Sequence, residues 1–183
     1  MAPDDKELIV RSLVDSDTAA FDELVRRYQS RVRGWLRHLT GDVAIADDIA
    51  QETFLRAWRK LGTYKASGSF NAWLLTIARN EFLQYRRKSG REEKRRQELI
   101  ADGIPGSGHA HSSLDEESHD IDRFLDVLKR DERDTMILVY GFGLSHSEAS
   151  EVSGLPLGSV KSHLRRGVSK IREQFGLKVP EHD

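Results

Sequence analysis

The chain has 183 residues, a formal net charge of −1 at neutral pH, 32% charged and 38% hydrophobic residues, and no cysteine. This length suits one domain or two small ones, and this composition excludes a disordered chain. The missing cysteine excludes disulfides and cysteine-based zinc sites, the acidic start "MAPDDKELIV" lacks the layout of a signal peptide, and no apolar run is long enough to span a bilayer.

Helix signals run through the chain. "DTAAFDELVRRYQSRVRGWLRHLTG" opens at Asp17, a capping residue, and stops at Gly41. "DVAIADDIAQETFLRAWRKLG" opens at Asp42 and stops at Gly62. Its Val43, Ala50, Phe54, Ala57 and Leu61 share an arc that packs inward. Asp48, Glu52, Leu55 and Arg59 form another stripe, with Ile45, Ile49 and Arg56 beside it. An acidic stripe bordered by apolar residues suits a protein partner that offers Arg and apolar groups. Paired carboxylates also raise acid–base catalysis or a metal, but no His or glycine loop lies nearby to complete either site, so an enzyme is not expected.

After the loop "TYKASG" a helix is predicted from near Ser69, with a weak point at Ser89-Gly90. Phe70, Leu74, Ile77, Ala78 and Tyr85 cluster on its wheel as core. Trp73, Thr76, Asn80, Leu83 and Arg87 lie along a different edge. That edge is either an ordinary mixed face or a surface for a nucleic-acid strand, with Trp73 stacking, Asn80 on a base edge and Arg87 on phosphate.

Residues 102–117 are rich in Gly, Ser and acids and read as a flexible linker. From 102 to 120 there are five acids and no Lys or Arg. His109, His111 and His119 lie in this stretch or beside it; without cysteines they are read as inert, and no metal or other cofactor is expected. Past the linker come four apolar-patterned segments, among them "TMILVY", which fits a buried helix better than a strand. "SHSEASEV", the turn "SGLPLG" and a last helix have the layout of a helix-turn-helix. In the last helix Val160, Leu164, Val168 and Ile171 share the packing arc. Ser159, Ser162, Arg165, Arg166 and Ser169 face the other way, flanked by Lys161, Lys170 and Arg172. The stretch 158–172 holds five bases and no acid, so a near-neutral sum hides a locally basic helix. Ser159 and Ser162 are short enough to let the helix start approach bases or phosphates. Arg165 fits a bidentate contact to guanine, and Lys161, Arg166, Lys170 and Arg172 fit phosphates. A plain solvated basic face is the rival reading.

"DDIAQETFLRAWRKL", "FNAWLLTIARN" and "GLSHSEASEVSGLPLGSVKSHLRRGVSKIR", in this order and with an acidic linker between, resemble bacterial RNA polymerase sigma factors of the extracytoplasmic-function group. The resemblance covers nearly the whole chain outside linker and tails. It implies an all-α fold of two small helical domains: a region-two domain over 1–101, the flexible linker over 102–117, and a region-four helix-turn-helix domain over 118–183. It further implies a factor that binds core RNA polymerase and promoter DNA. Asp48, Gln51, Glu52 and Phe54, with Ile45 and Ile49 beside them, match the polymerase-binding motif. Tyr64, Lys65, Ser67 and Phe70 fall in the loop that captures a flipped base of the minus-ten element. Asn80 matches the position whose amide contacts that base, and the last helix would read the minus-thirty-five element as duplex. The acidic linker would occupy a polymerase channel otherwise used by nucleic acid. An anti-sigma factor is a candidate further partner, and no small-molecule substrate is expected. A cytoplasmic location follows. The chain departs from the family pattern at Leu128-Lys129, where many members have Leu-Pro, and at Ser147 and Ser150. A helix-turn-helix regulator acting alone would bind duplex only and would not need Asp48 and Glu52.

Overall fold

The structure, a computed structural model, describes residues 3–14, 17–66, 68–99 and 125–176. The chain divides into two compact units, Met1–Ser112 and Ser113–Asp183. Among the described residues there is no strand. The linker 102–117 and its histidines lie outside them.

The first unit contains α1 (Asp5–Val14), α2 (Thr18–Thr40), α3 (Val43–Lys60), a 3₁₀ turn (Leu61–Thr63) and α4 (Phe70–Leu99). The boundaries of α2 follow from its caps. The Asp17 carboxylate accepts the Ala20 N–H at 3.1 Å, and Arg11 donates to the same carboxylate at 2.7 Å. The Arg11 hydrogen bond, then the Ala20 amide, hold Asp17 below its ordinary value. At the other end Gly41 takes a φ of 69°, a left-handed conformation that favours glycine, and its N–H reaches the Arg37 carbonyl at 2.8 Å. Asp42 caps α3 through the Ile45 N–H at 2.9 Å. Gly62, predicted to stop α3, instead sits inside the 3₁₀ turn.

The core forms where α2, α3 and α4 pack against one another. Small residues on α3, namely Ala46, Ala50, Thr53 and Ala57, let its neighbours come close. Leu24, Val32 and Leu36 of α2 and Leu74, Leu75 and Ala78 of α4 fill the space against them, all buried. Thr53 satisfies its buried hydroxyl by donating to the Ile49 carbonyl at 2.7 Å. Val43, read as inward-facing, is exposed at the first position of α3. Helix α4 runs unbroken through Ser89-Gly90, where a weak point is predicted.

Helix α1 is an addition to the sequence reading, which places nothing helical before Asp17. Asp4 accepts the Glu7 N–H at 2.7 Å and starts it. Leu8 and Ile9 are buried, Tyr28 donates its hydroxyl to Asp5, and Arg27 pairs with Asp5 at 3.0 Å and donates to the Pro3 carbonyl at 2.7 Å. The pairing Asp4/Glu7, three residues apart, is the signal that marks this helix in the sequence.

The second unit contains α5 (Arg130–Met136), which passes into a π turn (Ile137–Gly141), then α6 (His146–Ser153) and α7 (Leu157–Phe175). "TMILVY" is therefore helical, as expected, with Leu138 fully buried. Gly167 of α7 is buried, and a Cβ there would lie 3.2 Å from Met136 Cγ and 3.6 Å from Leu128 Cδ2. The missing side chain is what lets α7 approach α5 so closely.

Candidate functional site

Three surfaces gather the residues singled out in the sequence. The first is the outer side of α3. Asp48, Gln51, Leu55 and Arg59 are exposed there, and Ile45 and Phe54 are half-buried. Glu52 is 44% exposed and accepts from Arg56 at 3.4 Å. Ile49, placed on this outer side by the sequence reading, is buried, because α4 packs over it. Asp48 borders two grooves. One, of about 510 Å³ between α2 and α3, has Phe21, Val25, Phe54 and Trp58 in its apolar lining and Asp22 beside them. The other, of about 420 Å³ between α3 and α4, brings Asp48, Glu52 and Glu81 near Arg87, Lys88 and Arg91. This is a mixed apolar and acidic surface of the kind that recognises a basic, partly apolar protein segment.

Between the two helices lies a charge cluster that the wheel of either helix alone does not reveal. Glu81 of α4 is only 6% exposed, and Arg56 of α3 reaches it at 2.9 Å while also pairing with Glu52. Burial pushes the Glu81 carboxyl above its ordinary value; Arg56 opposes that shift and Glu52 adds to it.

The second surface is the loop before α4 together with one edge of that helix. Asn80 and Arg87 are exposed, and Trp73, Thr76 and Leu83 are half-buried, so this edge is open as expected. Arg87 donates to the Leu83 carbonyl at 3.2 Å. Phe70 is placed both in the core and among the strand-contacting residues by the sequence reading, and it is buried. It acts as a support: its ring meets Tyr28, Tyr64 and Trp73 at centroid distances of 5.3, 5.7 and 5.4 Å. Tyr64 and Trp73 also touch, at 5.6 Å, which leaves two half-buried rings at the loop mouth. The loop is held by the Tyr64 hydroxyl donating to the Gly68 carbonyl at 2.7 Å. Ala66 takes a positive φ of 52°, Lys65 is exposed, and Ser67 lies outside the described residues.

The third surface is α7 with the turn that presents it. Ser145 and Glu148 form a reciprocal cap at the start of α6: the Ser145 hydroxyl accepts the Glu148 N–H at 3.2 Å, and the Ser145 N–H donates to the Glu148 carboxylate at 2.9 Å. Gly154 ends the helix at a φ of 67°. Ser150 donates to the Leu155 carbonyl at 2.6 Å, and Ser153 accepts the Leu155 N–H at 3.2 Å. The serine that departs from the family pattern at 150 thus stitches the turn. Val160 and Leu164 are buried, and Val168 and Ile171 are half-buried. Lys161 and Arg165 are exposed, while Ser159 and Ser162 are half-buried at the first turns.

Two other bases of α7 have an internal partner. Lys170 Nζ lies 2.6 Å from one oxygen of Glu132, and Arg166 Nε lies 3.3 Å from the other. The Lys129 N–H donates to the same carboxylate at 3.0 Å. Burial pushes Glu132 up, but the Lys170 hydrogen bond, the Lys129 amide and the nearby Arg166 outweigh it and hold the group below its ordinary value. The polar arc of α7 contains no acid in its own sequence, yet α5 supplies one.

Comparison with known proteins matches two stretches of the chain. Residues 24–92 match the Sigma-70 region 2 family model, and residues 118–171 match Sigma-70, region 4. The chain is similar to the ECF RNA polymerase sigma factor SigE of Mycolicibacterium smegmatis, 32% identical over 84% of this chain and 61% of that protein, so it spans less than two thirds of that relative. It is 33% identical to the ECF RNA polymerase sigma factor EcfG of Rhodopseudomonas palustris, over 76% of each. Among solved structures it is similar to the sigma factor RpoE of Bartonella quintana, crystallised with the anti-sigma factor NepR, with a TM-score of 0.64, 27% identity and coverage of 87% of this chain and 98% of that one.

Proposed function

Because the chain belongs to the ECF RNA polymerase sigma factors, we propose that it binds core RNA polymerase and directs initiation at particular promoters, as a specificity subunit and not a catalyst. The observation that carries this reading is that the region-two and region-four matches fall one in each compact unit, and each unit exposes a face suited to its task. The outer side of α3, with Asp48, Gln51, Glu52, Phe54 and Ile45, is the polymerase-binding surface. Tyr64, Lys65, Trp73, Asn80 and Arg87 line the path of the melted minus-ten strand, with Phe70 holding the two outer rings in place. Unstacked bases present a flat face to such rings and an edge to an amide, which is why this unit reads single strand. Ser159, Lys161, Ser162 and Arg165 meet the minus-thirty-five element as duplex. Residues 1–101 and 118–183 are the two working domains, with 102–117 as the tether between them, in the cytoplasm. Among the described residues no helix is long and apolar enough to cross a membrane. An anti-sigma protein is proposed as a further partner, since the similar Bartonella factor was crystallised with one.

Reconstitution with core polymerase, followed by mapping of transcript starts on genomic fragments, tests the proposal. Discrete starts that require the chain are expected; core-only background at every fragment would overturn it.

Two variants test the DNA assignments. Arg165→Ala is expected to lower discrimination between base pairs by about 1–3 kcal/mol, whereas Lys161→Ala weakens binding to all sequences alike and flattens the salt dependence. A competition assay in which both variants lose affinity uniformly would make Arg165 a phosphate contact. Asn80→Ala is expected to leave thermal stability within about 0.5 kcal/mol of the parent, because the amide is exposed. It should lower open-complex formation and relax preference at one promoter position, read by permanganate footprinting. Normal melting with unaltered preference would return this edge to an ordinary solvated face.

A further inference from the structure

We propose that Glu132 is a positioning residue for DNA binding: it holds Arg166 and Lys170 against the body of the second unit, so that the duplex is engaged through the first half of α7 and non-specific attraction to DNA stays low. This rests on the reading of α7 as the duplex-facing helix.

The Glu132 side chain is 4% exposed, and both of its oxygens are engaged, one by Lys170 and the Lys129 amide, the other by Arg166. The side chain comes from the first turn of α5, and α7 comes within its reach because Gly167, between the two bases, carries no side chain to hold the helices apart. Arg166 and Lys170 are one helical turn apart, so a single carboxylate can engage both. Moving either base to a phosphate would leave a buried anion with one cation fewer, a loss that a contact made in water does not repay. Lys161 and Arg165 differ in pairing and not in exposure: Arg166 is also exposed, at 55%, but it pairs with Glu132, whereas among the described residues neither Lys161 nor Arg165 forms an ion pair. The basic stretch 158–172 therefore presents fewer free charges to DNA than its sequence suggests. Affinity that comes from counterion release grows with the number of phosphates neutralised, regardless of sequence. Keeping two cations occupied lowers that sequence-independent part and leaves readout by the start of α7 untouched.

The test uses holoenzyme reconstituted with the full chain, binding a promoter duplex and a scrambled duplex over a range of salt concentrations. Glu132→Gln is expected to tighten binding to the scrambled duplex more than to the promoter. It should also steepen the slope of log affinity against log salt by about 0.9 for each base released. Lys170→Gln is expected to leave the slope of the parent unchanged, because that base makes no phosphate contact while Glu132 holds it. It retains Glu132 and gives an independent reading if Glu132→Gln folds poorly, which thermal melting would reveal. A Lys170→Gln slope flattened by about 0.9, or a folded Glu132→Gln with an unmoved slope, overturns the inference. Holoenzymes carrying Arg165→Ala and Lys161→Ala that both keep the parent's affinity and preference for the promoter duplex overturn instead the reading of α7 as the duplex-facing helix.

Discussion

Glu52→Lys is expected to weaken binding to core RNA polymerase by about 2–5 kcal/mol, the range measured when one member of a close interfacial charge pair is lost. The residue is 44% exposed on the outer side of α3, beside exposed Asp48 and Leu55, so an approaching partner can reach it. Reversal does more than delete a contact, because it sets a cation against the basic group that the acidic stripe is proposed to attract. Glu52 also touches Arg56 at 3.4 Å, and a lysine there repels Arg56 inside the fold. The companion variant Asp48→Asn separates the two effects: Asp48 is exposed and forms no ion pair among the described residues, so neutralising it weakens polymerase binding while the Glu52–Arg56–Glu81 cluster stays intact. A binding titration with core polymerase and a thermal melt of each variant provide the check. Parent-like affinity in both variants would remove the polymerase from this face.

Arg56→Ala is expected to destabilise the first unit by about 3–5 kcal/mol at neutral pH, through the carboxylate it leaves behind. Glu81 is 6% exposed and has its cation at 2.9 Å. Its folded pKa is already raised by burial, so the sign of the pH dependence is fixed. A carboxyl that binds its proton more readily folded than unfolded contributes stability that is fully present below the unfolded value. That contribution is lost as pH rises through the folded value. Removing Arg56 takes away the influence that opposes the rise and moves the folded value higher still. The deficit of Arg56→Ala is therefore small in acid and grows toward neutral pH as Glu81 is forced to ionise. Adding Glu81→Gln should restore most of the loss, since a neutral amide needs no cation. A deficit of equal size at all pH values, or no rescue by Glu81→Gln, would show that Arg56 acts by packing alone. Glu132 runs the opposite way: its folded value is lowered, so its contribution is present above the unfolded value and is lost as pH falls through the folded one. Glu81 and Glu132, one buried carboxylate in each unit, thus contribute to stability with opposite pH dependence.

The sequence by itself determined the helices and their limits wherever the signal is local. Asp17, Asp42 and Ser145 cap their helices, Gly41 and Gly154 end theirs in left-handed backbone, and each of these bonds closes within four residues of chain. It likewise determined which edge of α4 stays open, because apolar spacing along one helix leaves Asn80 and Arg87 on an edge beside the buried arc of Leu74 and Ile77. The family motifs added the order of the two domains. Tertiary structure alone decided which groups from distant elements meet. Helix α4 covers Ile49, which the α3 wheel places outside, and Phe70 turns inward to Tyr28 of α2, which takes it out of direct reach of a DNA strand. Lys170 and Arg166 look free in a stretch without acids, yet Glu132, 38 positions before Lys170, stands against both. Periodicity records the apolar face of each helix, because burial of that face is what makes the helix stable. It does not record the partner of a charge, because that partner is set by how closely whole helices approach, and here by the glycine that lets α7 come within reach of α5.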